Sequence, residues 1–422
     1  MDEAAVRYLG ARLIDDDGNL QNGDFDLWSD GRWTKADSSI DAVQTIDGSD
    51  RVLTRSLQNW HTHCGMTLNA RDFSDGFPLH RWLNEVIFPT EQRLSEELVK
   101  TGTWAAVAEM IKTGSTFCAD LYFHPEQTAR IFNEGGVRAI VASPISEQAL
   151  PSYPDGAEQA IRQTESLLQT TPPERTEYAL GPHSVYLCSK ETLETVAEVS
   201  RNQDAKVHIH LSETRKEITD CHAEHGCHPT HLLERTGILE QGPICAHSSW
   251  MMKEEMRMLA KNGATAVHCP SSNMKLACGG TMSYPAMKEA GVDVRLGTDG
   301  SASAAFGLDL RAEARLASLV QRHDHWDPTI LPSKEAWSLA TKGSQDWVAW
   351  SLDDIRMRPF GHDGHRLINH LIFSNTACLD VWVDGNAIRR DGITLTLDEE
   401  KIAADLEAKS IGYYKGLDTS AE

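Results

Sequence analysis

From about residue 55 to 345 the chain keeps one rhythm, a short apolar run followed by a longer amphipathic stretch. The runs fall at Thr116–Asp120, Arg138–Ala142, Ala179–Pro182, Val207–Leu211, Ile244–His247, Ala264–Cys269 and Val292–Thr298. Repeated strand-then-helix units dictate a parallel sheet, and their number suits a barrel. Of the intervening stretches, Glu96 to Ile111 reads as a helix with Leu98, Trp104, Val107, Ala108 and Ile111 along one stripe. The ends of the chain read differently. Val6 to Leu9, Phe25 to Trp28 and Val43 to Ile46 alternate with Asp/Gly/Asn-rich turns, a small β-structure. Beyond about residue 346, β character returns in Trp347–Trp350, Cys378–Val383 and Gly392–Leu397, with Asp384-Gly385-Asn386 as the turn between the last two and a short final helix around Glu399–Ala408. The expected fold is therefore α/β: a (β/α)8 TIM-like barrel over residues 55–345, and a small composite β-sandwich domain built from residues 1–54 and 346–422.

Composition narrows the partners. A chain of 422 residues buries a sizeable core without disulfide staples. Its 62 acidic against 40 basic residues give a formal charge of −22, which repels phosphate backbones and anionic lipid surfaces, so neither nucleic acid nor membrane is an expected partner. Nine cysteines, an odd number without any CxxC pair, point to free thiols in a reducing cytoplasm. Cys221 and Cys227 flank His222, His225 and His228, but these residues do not fall in a paired finger spacing, and no structural zinc is expected there. The N-terminal MDEAAVRYLG has no apolar h-region, and no apolar run reaches a membrane-spanning length. Homo-oligomerisation is left open.

The chemistry-bearing residues stand at strand ends. In Asn59-Trp60-His61-Thr62-His63, two histidines at i and i+2 point to the same side of a strand end, so both imidazoles reach one ion. His210 ends the run Val207–Leu211, with Glu213 just beyond, His247 ends the next, and Asp299 follows Val294–Thr298. Each has an ordinary reading by itself: His247 a hydrogen-bonded histidine, Asp299 a turn residue before Gly300, Glu213 a helix-start carboxylate. In a parallel barrel, however, all of them land on the C-terminal face, where such folds build active sites. His61, His63, His210 and Asp299 are then expected to bind one divalent ion, zinc first with iron or manganese as alternatives, and to leave a position for water. His208 is expected to support the ligands or to pack.

These residues resemble the amidohydrolase superfamily, and most closely the methylthioadenosine/S-adenosylhomocysteine deaminases. The resemblance covers about residues 59 to 322 and is carried in order by HTHCGMTLNAR, FPTEQRLSEE, FCADLYFHPE, GPHSVYLCS, VHIHLSET, HCPSSNMKLACG and LGTDGSASAAFGLDL. It implies His61, His63, His210 and Asp299 as metal ligands, Glu213 as the proton-shuttling acid and His247 as the contact to the reactive water. It also implies that Glu91 and His183 grip the ribose and base of a purine nucleoside. The activity so implied is hydrolytic deamination of methylthioadenosine, 5′-deoxyadenosine or adenosine to the inosine analogue. A guanine- or pterin-type deaminase, a triazine dechlorinase and a catalytically silent nucleoside binder are the alternatives. Where relatives that accept S-adenosylhomocysteine carry an arginine, this chain has Ser143 and Pro144, which favours a neutral 5′-substituent. Two further departures, Leu53-Thr54-Arg55-Ser56 in place of Pro-Gly and a shortened turn at Lys342–Gln345, fall outside the expected ligand set.

Overall fold

The computed structural model describes residues 4–69, 76–360 and 363–414. The first three residues, Ala70 and Arg71 of the HTHCGMTLNAR stretch, and the chain after residue 414 lie outside them. The strands of the first part are β1 (Val6–Ile14), β2 (Leu20–Leu27), β3 (Trp33–Lys35), β4 (Thr45–Asp47) and β5 (Arg51–Arg55). Next come β6 (Leu57–Thr62), β7 (Ser115–Leu121), β8 (Arg138–Ile145) and β9 (Thr176–Pro182), and then β10 (His208–Leu211), β11 (Ile244–His247), β12 (Thr265–His268) and β13 (Asp293–Leu296). The last are β14 (Trp347–Ser351), β15 (Cys378–Val383), β16 (Asn386–Arg390) and β17 (Ile393–Thr394).

Strands β6 to β9 form one parallel four-stranded sheet and β10 to β13 a second. Their residues are almost all buried, as helix-covered parallel strands must be. Hydrogen bonds cross both seams between the two sheets. At one, Leu180 N donates to Lys206 O (2.9 Å) and His210 N to His183 O (3.0 Å). At the other, Asp299 N donates to His61 O (3.0 Å), and Asn59 exchanges bonds with Thr298 N (3.0 Å) and Thr298 Oγ1 (2.8 Å). Gly297 lets this second seam close, because a Cβ there would stand 2.8 Å from both His61 Cβ and Val267 Cγ1.

A nine-stranded sheet combines both ends of the chain, in the order β17-β16-β15-β14-β5-β1-β2-β3 with β4 on β1. It is fastened to the parallel strands by a buried polar junction. Asp346 accepts from Thr116 Oγ1 (2.8 Å) and from Arg138 Nε and Nη2 (3.0 Å each), and Arg138 and Arg175 both pair with Asp384.

Helix Glu96–Thr113 shows how local sequence sets an element. Ser95 caps it by accepting from Leu98 N (3.4 Å), two glutamates open it, and Gly114 at φ 84° ends it in the left-handed region. Its buried side runs through Val99, Ala106, Val107, Met110 and Ile111, whereas Leu98, Trp104 and Ala108 are only half-buried, so the expected stripe is shifted. The cause is packing on more than one side, since the helix meets both the Cys64–Leu68 turn and the helix Pro125–Gly135. A second correction concerns Asp384-Gly385-Asn386. This turn, with φ of 50° at Asp384 and 74° at Gly385, leads into β16, an Arg-rich strand that apolar alternation does not reveal, and only then does the chain reach β17. The terminal helix runs from Glu399 to Tyr414, longer than expected. Among the described residues, no helix is long and apolar enough to cross a membrane.

Candidate active site

Strand geometry brings the expected ligands together. His61 lies within β6 and His63 one residue past its end, His210 lies within β10, and Asp299 follows β13. The turns leaving these strands are tightly constrained: Ser212, His247 and Asp299 all adopt positive φ (51°, 68° and 66°), a conformation that non-glycine residues hold only under tertiary support. His61 Nε2 and His63 Nε2 stand 3.5 and 3.2 Å from Asp299 Oδ1, and His210 Nε2 stands 3.3 Å from His63 Nε2.

The protons on these rings show what the cluster suits. His63 Nδ1 donates to Leu121 O (2.6 Å) and His210 Nδ1 to His183 O (2.7 Å). Burial pulls His63 down, but Asp299 outweighs it and holds the ring above its ordinary value. In the neutral form that a cation requires, each ring has used its one N–H, so two lone pairs face each other across 3.3 Å. His61 Nε2 is buried without a hydrogen bond, while its Nδ1 shares a proton with His208 Nε2 (2.8 Å). Lone pairs converging without protons fit a cation: tetrahedral zinc with bonds of about 2.0–2.1 Å separates its ligand atoms by about 3.3 Å. The second nitrogen of each histidine is anchored, as ligand rings require. Within the described residues, two overlapping groups place all their ligand atoms within 4.8 Å of one another, His61/His63/Asp299 and His61/His210/His247.

Asp299 is held in turn, its Oδ2 accepting from Ser272 Oγ (2.6 Å) and its Oδ1 from Gly300 N (2.7 Å). Burial pushes its carboxyl up, but the adjacent His61 and His63 outweigh that and keep it well below the usual range. Glu213 behaves oppositely. Burial, then the charges of Asp299 and Glu217, hold its carboxyl well above the usual value. Its Oε1 lies 3.7 Å from His247 Nε2 and accepts from Cys278 Sγ (3.5 Å). The loop that carries it is clamped by Glu217, whose two oxygens accept from Ser212 N (2.8 Å) and Glu213 N (2.7 Å).

A cavity opens onto His63, His210, Glu213, His247 and Asp299. Glu91 and His183 line the same cavity, so all the expected substrate contacts share one space with the candidate ligands. Glu91 accepts from Tyr122 Oη (2.7 Å), and burial raises its carboxyl to about 7. Burial, reinforced by neighbouring histidines, lowers His183 to about 3 and keeps it neutral. Leu79, Trp82, Leu83, Ile87, Phe88 and Leu150 make an apolar wall, and among the described residues no lysine or arginine lines the cavity.

Sequence reasoning passed over Ser272, Asn273 and Cys278, which reach Asp299, His247 and Glu213 from one short segment, and also Tyr122 and Glu217. The first three lie inside HCPSSNMKLACG, so the motif marked the segment without assigning its side chains.

The chain is 35% identical over 369 residues to a 5-methylthioadenosine/S-adenosylhomocysteine deaminase of Archaeoglobus fulgidus, covering 84% of this chain and 86% of that one. It is 35% identical over 429 residues to a 5′-deoxyadenosine deaminase of Methanothermobacter thermautotrophicus, covering 97% and 98%. Its fold matches the crystal structure of an adenosine deaminase from Xanthomonas campestris with bound zinc, with a TM-score of 0.89 at 24% identity over 98% of this chain and 99% of that one. Residues 53–347, which include every candidate ligand, match the amidohydrolase family, and the chain belongs to that family.

Proposed function

We propose that the protein is a cytoplasmic, metal-dependent deaminase that converts an adenine nucleoside with a small, neutral 5′-group, and water, into the inosine analogue and ammonia. The reading includes the architecture: the two four-stranded parallel sheets together are the (β/α)8 barrel, residues 55–345, and the sheet from residues 1–54 and 346–422 belongs to a companion domain. His61, His63, His210 and Asp299 hold one divalent ion, zinc in the first instance. When bound, such an ion lowers the pKa of water to about 7 and so supplies a nucleophile at neutral pH.

The chain's own groups do the rest. Glu213 takes the proton of the attacking water and delivers it to N1 of the purine, which makes C6 electrophilic. A carboxyl held well above its ordinary value suits a group that must give a proton back. His247 orients the attacking oxygen, and Asp299, held by Ser272, fixes its other side. The remaining hydroxyl proton of the attacking oxygen then passes through Glu213 to the amino nitrogen, the C6–N bond breaks, and ammonia leaves while N1 keeps its proton. Glu91 accepts from the ribose hydroxyls, while neutral His183 meets the base.

The observation that carries this reading is the one cavity shared by Glu213, His247, Glu91 and His183, whose wall among the described residues is apolar. A homocysteine tail would bring a carboxylate into a space whose carboxylate-bearing side chains, among the described residues, are Glu91, Glu213 and Asp299. The test is ammonia release from methylthioadenosine, 5′-deoxyadenosine, adenosine, S-adenosylhomocysteine and guanine, and chloride release from a chlorotriazine. The first three are turned over, with S-adenosylhomocysteine at least about tenfold worse, the cost of about one unmatched charge contact. Turnover confined to guanine or the triazine overturns the reading.

A further inference from the structure

His247 stands where it could serve either of two purposes. Its ring stacks on His210, with centroids 5.4 Å apart and planes at 18°, and it completes a group with His61 and His210 whose ligand atoms lie within 4.8 Å. Distance alone therefore makes it as fit a ligand as His63. The difference lies in the protons. His63 and His210 donate from Nδ1 to carbonyl oxygens, which turns a lone pair at Nε2 toward the centre. Among the described residues, the hydrogen-bond partner of His247 Nδ1 is no carbonyl but Asn273 Nδ2, at 3.2 Å.

We propose that Asn273 is a positioning residue that sets the tautomer of His247, keeping it a hydrogen-bond donor rather than a further ligand. An amide nitrogen only donates, so His247 Nδ1 accepts, and the one N–H of the neutral ring sits on Nε2. That nitrogen is the one 3.7 Å from Glu213 Oε1. Ser249 Oγ shares its one proton between His247 O (3.4 Å) and Asn273 Oδ1 (3.5 Å), which places the amide oxygen on the side away from His247 Nδ1. Its backbone is fixed as well, Asn273 N donating to Cys269 O (3.1 Å) and Cys278 N to Asn273 O (3.0 Å). Ser272, the residue before, donates to Asp299 Oδ2, so adjacent side chains prepare opposite roles: an anion steadied as a ligand, and an imidazole steadied as a donor. The proposal rests on the deaminase reading only in assigning His247 to the attacking oxygen.

The experiment is a long-range ¹H–¹⁵N correlation of the zinc-loaded, ¹⁵N-histidine-labelled protein, with the His247 signals assigned by their loss in His247→Gln. The expected pattern is a protonated Nε2 and a bare Nδ1. In Asn273→Asp the carboxylate accepts from Nδ1, the pattern reverses, and a lone pair turns inward. Cobalt-substituted Asn273→Asp then shows weaker visible absorption than the wild type as the coordination number rises, and kcat falls by about 10- to 100-fold, the scale for partners that orient site histidines. Asn273→Ala, which neither donates nor accepts, gives a mixture of the two patterns and serves if the aspartate variant does not fold. Protonation of Nδ1 in the wild type, or the wild-type pattern in both variants, overturns the proposal. Failure of the deaminase reading would register separately, as absent ammonia release with the wild-type tautomer unchanged.

Discussion

Tyr122 donates its phenol proton to Glu91 Oε1 across 2.7 Å, inside the cavity that the candidate ligands share. Burial lifts Glu91 from 4.5 to about 7, so between those values the folded protein keeps a proton that the unfolded chain releases. Stability therefore falls as pH rises through that window, by up to about 3 kcal/mol. Glu91→Gln removes this dependence. Thermal melts should show the variant gaining on the wild type between pH 5 and pH 8, and parallel curves would contradict the assignment. In the wild type, KM for the nucleoside should rise as pH falls below about 7, because only the carboxylate accepts two ribose hydroxyls.

Glu213→Gln preserves the shape of the side chain and removes its proton exchange. Because Glu213 is not among the candidate ligand atoms, metal content should stay at the wild-type level while kcat drops by about two to four powers of ten, the scale of acid–base catalysis. Near-normal turnover would remove Glu213 from the mechanism.

Asp346 joins the parallel strands to the mixed sheet through Thr116 and Arg138. Asp346→Ala leaves Arg138, its side chain 29% exposed, with Asp384 as its remaining carboxylate partner, so the cost falls below that of a fully buried pair broken outright, to about 1–3 kcal/mol. Chemical denaturation reads the loss. The folded fraction should keep its kcat, since the junction lies apart from the cavity lining, and a kcat defect would show that the junction shapes the site.

Gln148 lines the cavity, where an added cation would meet the carboxylate of a homocysteine tail. Gln148→Arg should raise kcat/KM for S-adenosylhomocysteine relative to methylthioadenosine by about tenfold or more, the worth of one charge-assisted hydrogen bond. An unchanged ratio would mean that the tail does not reach this wall.

What the sequence disclosed follows from where each signal originates. Strands β7 to β13 are covered on both faces and therefore read as apolar runs, and a histidine or aspartate at the end of such a run stands out. That is why His61, His63, His210, His247 and Asp299 could be named in advance and why they converge. Ser272, Asn273 and Cys278 escaped because a small polar residue acquires its role only from a partner 26 to 65 positions away. Tyr122 looks like an ordinary strand-end aromatic until Glu91 is placed against it. Strand β16 was lost for another reason: Asn386, Arg389 and Arg390 break the apolar alternation, and the guanidinium of Arg389 is satisfied by Cys378 O, Thr394 and Glu399.

The central claim is that His61, His63, His210 and Asp299 share one divalent ion. It is tested most directly by metal analysis of protein purified without chelator, for the wild type beside His61→Ala and Asp299→Ala, each checked for intact secondary structure. The account predicts about one equivalent per chain in the wild type and strong depletion in both variants, as removal of a primary ligand requires. Full occupancy in folded His61→Ala and Asp299→Ala would contradict it.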